Sequence, residues 1–526
     1  MKKSLRKWCG LLLCLTVATN IIPMTVAAED EGIAIDDTNF PDEIFRELSG
    51  KDTNQDGRLS EDEINAVTSI CVGECAITDL KGIEYFVDLK RLDCSGNSLT
   101  SLDVASNENL NILDCTNNQL KSLDFSNNTV LEDVMCYKNR LTSLELDGAA
   151  ALKYLDCNHN QLTKLDVSNN TKLVILECYN NNLTTLDVSH NVGLTTLSCY
   201  YNRLTKLDVR NNTELRRLYC GNNNLTLLDV SYCEGLENFG CQNNELTCLD
   251  VGNNTGLHTL SCNGNNLTTL NLSNNKDVSG LNCSNNNLAS LDISGHEKMR
   301  ELYCTQNNLT VLDVSKNTKL ARLYCCGNQL TSLDLYNNNV GVFSGDLKEN
   351  GEELSYNCYV ITLDAERKFD LNRLPGSFDV SRTHSWTGGV VTGNILTVDG
   401  SAEEVTYKYK CSDKQEMTVK LIVNVSEVEP LTFRNNFGIE TNYVDCPIVS
   451  CVASDYVEGG VLPYTFCKMY GPDWLSVSSD GTITGTPQND GKNSNLVVRV
   501  TDAAGEYREA VIAVADTQIP EEEKIL

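Results

Sequence analysis

The sequence predicts a mainly β fold: a solenoid of parallel strands, with a small helical N-terminal cap and C-terminal β-sandwich domains. A unit of 21 residues repeats twelve times from Leu89 to Val340, without insertion or deletion. Within each unit, apolar residues recur at fixed positions and alternate with polar ones in two short stretches. A fixed period of this length is typical of solenoids, in which each coil buries its apolar side only against its neighbours.

The composition argues against one class of partner before any motif is considered. The 526 residues include 72 Asp and Glu against 42 Lys and Arg, a formal net charge of −30. Such a surface does not neutralise phosphates, so we expect no nucleic acid partner. Cations and basic protein surfaces suit this charge better.

Residues 1–28 predict a secretory signal peptide. Four basic residues among the first seven precede a mostly apolar run at 8–22, and Val26 and Ala28 are small residues suited to cleavage before Glu29. The apolar run is too short and too broken to span a membrane, and no second run follows. We therefore expect a secreted, extracellular protein without membrane insertion, either free or associated with the cell surface.

Residues 29–76 predict a helical cap that contains a calcium loop. Pro41 can begin one short helix, and residues 52–63 (DTNQDGRLSEDE) match the EF-hand loop at its discriminating positions. Calcium requires oxygen ligands, and the loop requires a Gly at its sharp turn. The alternative is an acidic turn that joins two helices, because no second loop is present to pair with this one. The predicted cofactor is a structural Ca²⁺, and its predicted ligands are Asp52, Asn54, Asp56, Arg58 (through its carbonyl), Ser60 and Glu63.

The solenoid is predicted to span residues 77–340, with an imperfect first coil at 77–88. The unit reads L-x-x-L-x-C-x-x-N-x-L-x-x-L-D-V-S-x-N-x-x, which divides into nested halves of ten and eleven residues. Strand alternation points Leu92 and Cys94 inward and Asp93 outward. The Asn after the first half is present in all twelve units, and its amide can bond to backbone groups where the chain leaves the strand. An acidic residue follows the second-half strand position in every unit but one, which has Asn271.

Twelve of the 24 Cys residues share one position of the repeat, from Cys94 to Cys325. Stacked coils bring successive thiols together, but their Cβ vectors are nearly parallel, whereas a disulfide needs a dihedral near about 90°. A straight row of thiols also offers no tetrahedral set for a metal. We therefore expect these Cys to stay reduced and to pack as small apolar residues.

This unit resembles the leucine-rich repeat, in the bacterial class with a nested ten-plus-eleven period. With the helical cap and the coil DLKGIEYF at 79–86, the first 340 residues are similar to exported internalin-like proteins of Gram-positive bacteria. The resemblance implies a leucine-rich repeat solenoid that uses one face to bind a ligand. Internalin repeats are one residue longer and carry an aliphatic residue where this chain has Cys. Their ligand-binding residues therefore do not transfer one by one.

The period stops at Gly341, and the remaining residues predict two β domains. Residues 341–426 contain strand patterns such as MTVKLIVNV and predict a small β domain, followed by a short acidic linker at 427–430. Residues 431–516 contain GGVLPYTF, DGTITGTP and LVVRVTDAAG, which resemble the Ig-like module of bacterial surface proteins, a cadherin-like β-sandwich. Residues 517–526 form an acidic tail.

No catalytic motif is found in the sequence, so we do not expect an enzyme. A cluster of Tyr lies at or just after the first-half strands, and clustered Tyr supplies apolar area and a hydroxyl, as binding surfaces do. Because equivalent positions stack, Tyr179 and Tyr200 are expected to be neighbours, with Tyr219 diagonal to Tyr200. Tyr also suits strands for packing reasons alone. The predicted ligand-binding residues are Tyr137, Tyr154, Tyr179, Tyr200, Tyr201 and Tyr219.

The sequence therefore predicts a secreted or surface-associated binding or adhesion protein that holds a protein or a glycan on the solenoid face. Two other functions fit the same residues. One is a noncatalytic extracellular scaffold or spacer, and the other is an accessory module of a secreted enzyme system.

Overall fold

The computed structural model describes residues 33–34, 48, 50–53, 55, 58–345, 347–349, 352–364, 366–424, 431–434, 438–441, 451–460, 462–486, 494–503 and 505–516. The predicted signal peptide, the linker at 427–430 and the tail at 517–526 lie outside these residues.

One parallel sheet of 14 short strands, stacked in chain order, forms the solenoid. We number the coils from Leu89, so that coil 5 begins at Leu173 and coil 12 at Leu320. Equivalent residues of successive coils pair in register, as Leu176 does with Leu155 and Leu197. The strands are Ser69–Cys71, Arg91–Asp93, Ile112–Asp114, Asp133–Met135, Tyr154–Asp156, Ile175–Glu177, Thr196–Ser198, Arg217–Tyr219, Asn238–Gly240, Thr259–Ser261, Gly280–Asn282, Glu301–Tyr303, Arg322–Tyr324 and Val342–Ser344.

Each of these strands turns its middle residue into the core. Leu176 and Leu197 are fully buried, as is the Cys that follows each strand. Because side chains alternate along a strand, the first and third residues face the other way. We call the surface that they form, together with the residue after each buried Cys, the strand face. The second halves of the coils form strands only at Ser122–Asp124 and Ser143–Glu145, which pair in parallel.

Among the described residues, Glu61–Asn65 forms an α-helix of the N-terminal cap, and a 3₁₀ helix at Ile83–Tyr85 lies in the imperfect first coil. Ser60 is the N-cap of the α-helix and forms a capping box with Glu63. Before the helix, Arg58–Leu59 pairs antiparallel with Ile33–Ala34. The first helix predicted after Pro41 lies outside the described residues, apart from helical Leu48.

The Asn that ends the first half of every coil ties that coil to the one before it. In coil 5, the Asn181 amide donates to the carbonyls of Cys157 (3.0 Å) and Cys178 (3.1 Å). Its oxygen accepts the backbone N–H of Leu162 at 3.0 Å. One buried side chain therefore satisfies three backbone groups that stacking removes from water.

A second Asn ladder runs along the other side of the coils, which the sequence analysis did not distinguish. In coil 5, the Asn191 amide donates to the carbonyls of Val167 (3.0 Å) and Asn170 (2.8 Å) in the preceding coil. This ladder is interrupted, because Ala149, Cys233 and His296 occupy the same position in other coils. The first ladder has no interruption. Its Asn oxygen accepts a buried backbone N–H, which Ala or Cys at that position could not do.

The twelve Cys of the repeat position are buried and unbridged, as predicted from stacking geometry. Burial raises the pKa of the Cys199 thiol to about 12, so it stays protonated and unreactive at neutral pH. These thiols act as small core residues between the Leu rows.

Residues after the repeats close the open end of the solenoid. One hydrophobic core runs without interruption from Leu48 to Val423, and the Tyr407 hydroxyl donates to the Thr331 carbonyl at 2.6 Å. The strands of this region are Leu347–Glu349, Glu352–Ser355, Asn357–Thr362, Lys368–Asp370, Thr383–Thr387, Gly389–Thr392, Ile395–Val398, Glu404–Lys410 and Glu416–Asn424, with 3₁₀ helices at Leu371–Arg373 and Val380–Arg382.

The last region has a separate core, which includes Leu431, Phe466 and Val514. Its strands form mainly antiparallel sheets, as expected for an Ig-like sandwich. They are Thr432–Phe433, Gly438–Thr441, Cys451–Val452, Val457–Glu458, Thr465–Tyr470, Leu475–Val477, Thr482–Gly485, Ser494–Thr501 and Tyr507–Asp516, with a 3₁₀ helix at Ala453–Tyr456. Within the part of the chain described, no helix has the length and apolar character needed to cross a membrane.

The two Asn ladders can be compared within one coil. We expect Asn181→Ala to lower the free energy of unfolding by about 2–4 kcal/mol, because it leaves the buried Leu162 N–H without its acceptor. Asn191→Ala, which removes two donated bonds from carbonyls that have other partners, should cost about 1–2 kcal/mol. Denaturant unfolding of both variants measures the difference. Equal costs would contradict the distinction between the ladders.

Candidate binding site on the strand face

Two Tyr rings stand side by side where coils 5 and 6 leave the sheet. Tyr179 and Tyr200 each follow the buried Cys of their coil, and the in-register pairing of the strands places them next to each other. Their ring centroids are 4.3 Å apart and their planes differ by 9°. The predicted adjacency of these residues is confirmed. Because the rings stack on each other, they present edges and hydroxyls, rather than these inner faces, to a ligand.

Two further rings extend the stack at its ends. The His159 imidazole meets Tyr179 edge to face at 5.4 Å, and Tyr201 meets Tyr200 at 5.7 Å with an angle of 63°. Burial raises the pKa of Tyr179, and the neighbouring Tyr200 hydroxyl acts in the same direction. The phenol of Tyr179 therefore stays protonated and donates to the Tyr200 oxygen.

Tyr201 occupies a backbone position that disfavours it. The second residue after the buried Cys has a left-handed backbone in every coil, with φ between 51° and 68°. Most coils place Gly or Asn there, the residues that tolerate this region at least cost. Tyr201 has φ of 53° and is nevertheless 53% exposed. Strain of this kind, about 1–3 kcal/mol, concentrates at functional sites.

A buried carboxylate supports the aromatic stack through a chain of hydrogen bonds. The Asn158 backbone N–H donates to Asp156 at 3.2 Å, and its side-chain amide donates to the same oxygen. The Asn158 side-chain oxygen accepts from His159 Nδ1 at 2.5 Å, and His159 Nε2 accepts from Asn180 at 3.1 Å. In this arrangement Nδ1 donates and Nε2 accepts, since an amide NH₂ can only donate.

The surroundings of Asp156 disfavour its ionised form. The residue is 6% exposed, and burial raises its pKa to about 6; the adjacent Glu177 carboxylate also raises this pKa, whereas the Asn158 backbone N–H lowers it. Burial also raises the pKa of Glu177. Neither carboxylate forms an ion pair within the described residues. Neither residue was predicted as part of the site, although acidic residues at outward strand positions are visible in the repeat.

The other predicted Tyr lie on the same face but outside the stack. Tyr154 is half-buried, and its hydroxyl interacts with Asp156. Tyr137 is half-buried with the Lys138 ammonium 5.9 Å from its ring centre. Tyr219 pairs with Ser198, which places it diagonal to Tyr200 as predicted. Most of the cluster is thus less exposed than strand alternation alone suggested, because neighbouring rings cover one another.

A second, smaller Tyr pair lies near the C-terminal end of the face. Tyr303 and Tyr324 stack with centroids 4.9 Å apart and planes 13° apart. The flanking Glu301 and Arg322 form an ion pair with each other. The same aromatic stacking therefore occurs in coils 11 and 12 with its nearby charges neutralised.

The predicted calcium loop is described in part. Glu63 accepts the Thr53 N–H at 2.6 Å and the Ser60 N–H at 3.0 Å, so its carboxylate bridges the beginning and the end of the loop. Hydrogen bonds from Thr53 and Ser60 lower the pKa of Glu63 to about 2. An ionised Glu that closes the loop fits the bidentate ligand that calcium requires. Asp52 is described, whereas Asn54 and Asp56 lie outside the described residues.

One constellation resembles a hydrolase triad in composition. His384 lies 2.9 Å from the Ser385 hydroxyl through Nδ1 and 3.0 Å from the Glu416 carboxylate through Nε2. All three side chains are exposed. A catalytic serine requires a desolvated site with donors for an oxyanion, and an exposed strand supplies neither. These contacts are a surface hydrogen-bond network and do not support catalysis.

The fold of the chain was compared with those of solved structures. The functional domain of InlJ from Listeria monocytogenes, described as including a cysteine ladder, is 27% identical to this chain. The match covers 75% of this chain and 99% of the InlJ domain, with a TM-score of 0.56. The chain is a leucine-rich repeat solenoid similar to the internalins.

Two further comparisons bear on the internalin-like chain. InlF from the same species, strain 4b F2365, is 18% identical over 58% of this chain and 87% of its own, with a TM-score of 0.47. Residues 440–515 match the family described as "Putative Ig domain", which agrees with the Ig-like module predicted at 431–516. The comparison with curated proteins found no match.

The raised pKa of Asp156 predicts how this internalin-like protein responds to pH. A carboxyl that ionises less readily when folded stabilises the fold below its unfolded pKa and loses that contribution as pH rises through about 6. We expect Asp156→Asn to be more stable than wild type by about 1–3 kcal/mol at pH 7.5, with the difference vanishing at acid pH. Urea unfolding across this range measures it.

Asp187→Asn is the matched control, in the neighbouring coil. Hydrogen bonds from Ser189 lower the pKa of Asp187, so its replacement should destabilise at neutral pH and matter less in acid. Equal pH profiles for the two variants would contradict the assigned environments.

The calcium loop makes a separate prediction. We expect Ca²⁺ to raise the melting temperature of the cap relative to the protein in chelator, because a ligand that binds only the folded loop stabilises it. Glu63→Gln should abolish this response while keeping an oxygen for the capping box. Glu61→Gln, an exposed acid in the same helical turn, should keep it. Calorimetry that shows identical melting with and without Ca²⁺ would exclude a filled site.

Proposed function

We propose that this chain is an exported protein-binding or adhesion protein, and that the strand face around Tyr179 and Tyr200 holds a protein ligand. The observation that carries this proposal is the stack formed by His159, Tyr179, Tyr200 and Tyr201. Rigid aromatic side chains with a polar tip supply contact area at low entropic cost, and they dominate binding hot spots.

The arrangement of the rings favours a protein over a glycan. A sugar ring stacks on the open face of an aromatic ring, whereas Tyr179 and Tyr200 turn one face of each ring to the other. Their edges and hydroxyls suit hydrogen bonds to peptide groups. The exposed Tyr201, in its left-handed backbone conformation, adds an aromatic anchor at the end of the stack.

The proposal includes export and a structural Ca²⁺ in the cap. The basic and apolar pattern of residues 1–28 supports export. The ionised Glu63 that closes the loop supports calcium, with Asp52, Ser60 and the Arg58 carbonyl as further oxygen ligands. A bound Ca²⁺ would neutralise the loop acids and hold the cap against the first coil.

Site-specific photocrosslinking tests the location of the ligand surface. The protein secreted by its own host, beginning near Glu29 by N-terminal sequencing, would carry a photoreactive phenylalanine at Tyr201 or at Tyr232. These two positions are almost equally exposed, at 53% and 54%, but Tyr232 lies away from the strand face. We expect a discrete protein adduct from position 201 and none from 232.

The stacked pairs provide the matched variants. Tyr179→Ala/Tyr200→Ala should reduce the yield of the adduct at position 201 at least about tenfold, in line with the loss of a hot spot. Tyr303→Ala/Tyr324→Ala removes an equivalent stack from coils 11 and 12 and should leave the yield unchanged. Unchanged melting of both variants is required. Equal adducts from 201 and 232, or a yield that does not depend on Tyr179 and Tyr200, would overturn the proposal.

A further inference from the structure

Charge is distributed unevenly along the strand face. The outward strand residues of coils 1 to 5 carry five carboxylates and one guanidinium, from Asp93, Asp114, Asp133, Asp156, Glu177 and Arg91. Those of coils 6 to 12 carry one carboxylate and two guanidiniums, from Glu301, Arg217 and Arg322. The net charge of the outward strand residues is therefore negative in coils 1 to 5 and positive in coils 6 to 12, and it changes sign at the Tyr stack.

The carboxylates nearest the stack lack the compensation found elsewhere on the solenoid. At the edge of the sheet, Lys153 pairs with Glu132 at 2.8 Å and Arg216 pairs with Glu237 at 3.1 Å. Asp156 and Glu177 are partners in adjacent strands, and no cation of the described residues pairs with either. Their side chains are nevertheless partly or wholly withdrawn from water. A cationic group brought there by a ligand would relieve a repulsion built into the fold.

The stack limits where such a group can sit. Tyr154 begins the strand that ends at Asp156, and Tyr179 lies two residues beyond Glu177. The two carboxylates thus lie between phenol side chains that can pack against the aliphatic stem of Lys or Arg. An extended peptide on the sheet would place alternate side chains toward the face.

We propose that the strand face binds an extended, basic peptide segment of its protein ligand, with one Lys or Arg side chain seated at Glu177 and Asp156 beside the Tyr stack. This inference rests on the proposed function and adds the chemistry and the orientation of the ligand. The basic part of the ligand lies over coils 1 to 5, and its less basic part lies over coils 6 to 12, because the reverse orientation opposes like charges.

Fluorescence anisotropy with two labelled peptides tests the charge requirement. The probes are an octapeptide of alternating Lys and Ser and one of alternating Glu and Ser, measured against the full chain at about 50 and 150 mM salt, since exposed charges are screened over this range. We expect the basic peptide to bind saturably and the acidic peptide not to bind. Equal binding of both, or no binding of the basic peptide, would overturn the proposal.

Two variants of coil 5 separate the site from the overall negative charge. Glu177→Gln and Asp187→Asn each remove one carboxylate from the same coil, on the strand face and away from it respectively. We expect Glu177→Gln to weaken the basic peptide at least about fivefold and Asp187→Asn less than about twofold, because only the former removes a direct pair. Equal weakening would mean nonspecific attraction and would overturn the site.

The photocrosslinked partner distinguishes failure of this inference from failure of the proposed function. If Tyr179→Ala/Tyr200→Ala abolishes the adduct and Glu177→Gln leaves it unchanged, the strand face still binds a protein ligand, but not through a basic side chain at this position. If both variants reduce the adduct and Asp187→Asn does not, both proposals gain support.

Discussion

The hydrogen bonds of the first Asn ladder are the constraint on which the rest of the structure depends. Each coil is too small to bury its own apolar side, so the coils must stack, and stacking removes backbone groups from water at every turn. An amide at a fixed position offers a donor and an acceptor at once, which matches an N–H and two carbonyls in each coil. The Leu rows, the Cys ladder and the shared cap are arranged around this requirement.

The strand face differs from the core in how its residues affect stability. Inside, the recurring Leu and Cys residues pack between the coils, and the Asn of the first ladder hydrogen-bonds across them. Outside, the residues that form the candidate site reduce stability: Tyr201 has a left-handed backbone, and Asp156 is ionised although it is buried. Backbone strain and buried charge of this kind concentrate at functional sites, which is one reason for the ligand surface proposed above.

The repeat made the solenoid predictable, because a period of 21 residues fixes register and places equivalent side chains side by side. Tyr179 and Tyr200 could be assigned as neighbours for this reason, and the free thiols could be expected from parallel Cβ vectors. The roles of Asp156, Asn158 and His159 could not. They depend on burial and on a chain of hydrogen bonds between coils 4 and 5, and neither is encoded in the period. The continuous core with residues 357–423 was also beyond pattern analysis, since it depends on how non-repeating strands meet the last coil.

The absence of insertions between the twelve repeats has a consequence for how such a gene can change. Whole repeats can be duplicated or lost by recombination without disturbing any junction, because every coil begins and ends at the same point of the stack. Each event would lengthen or shorten the strand face by one strand spacing, about 4.8 Å. The length of the strand face, and with it the length of an extended ligand that the face can hold, can therefore change in equal steps.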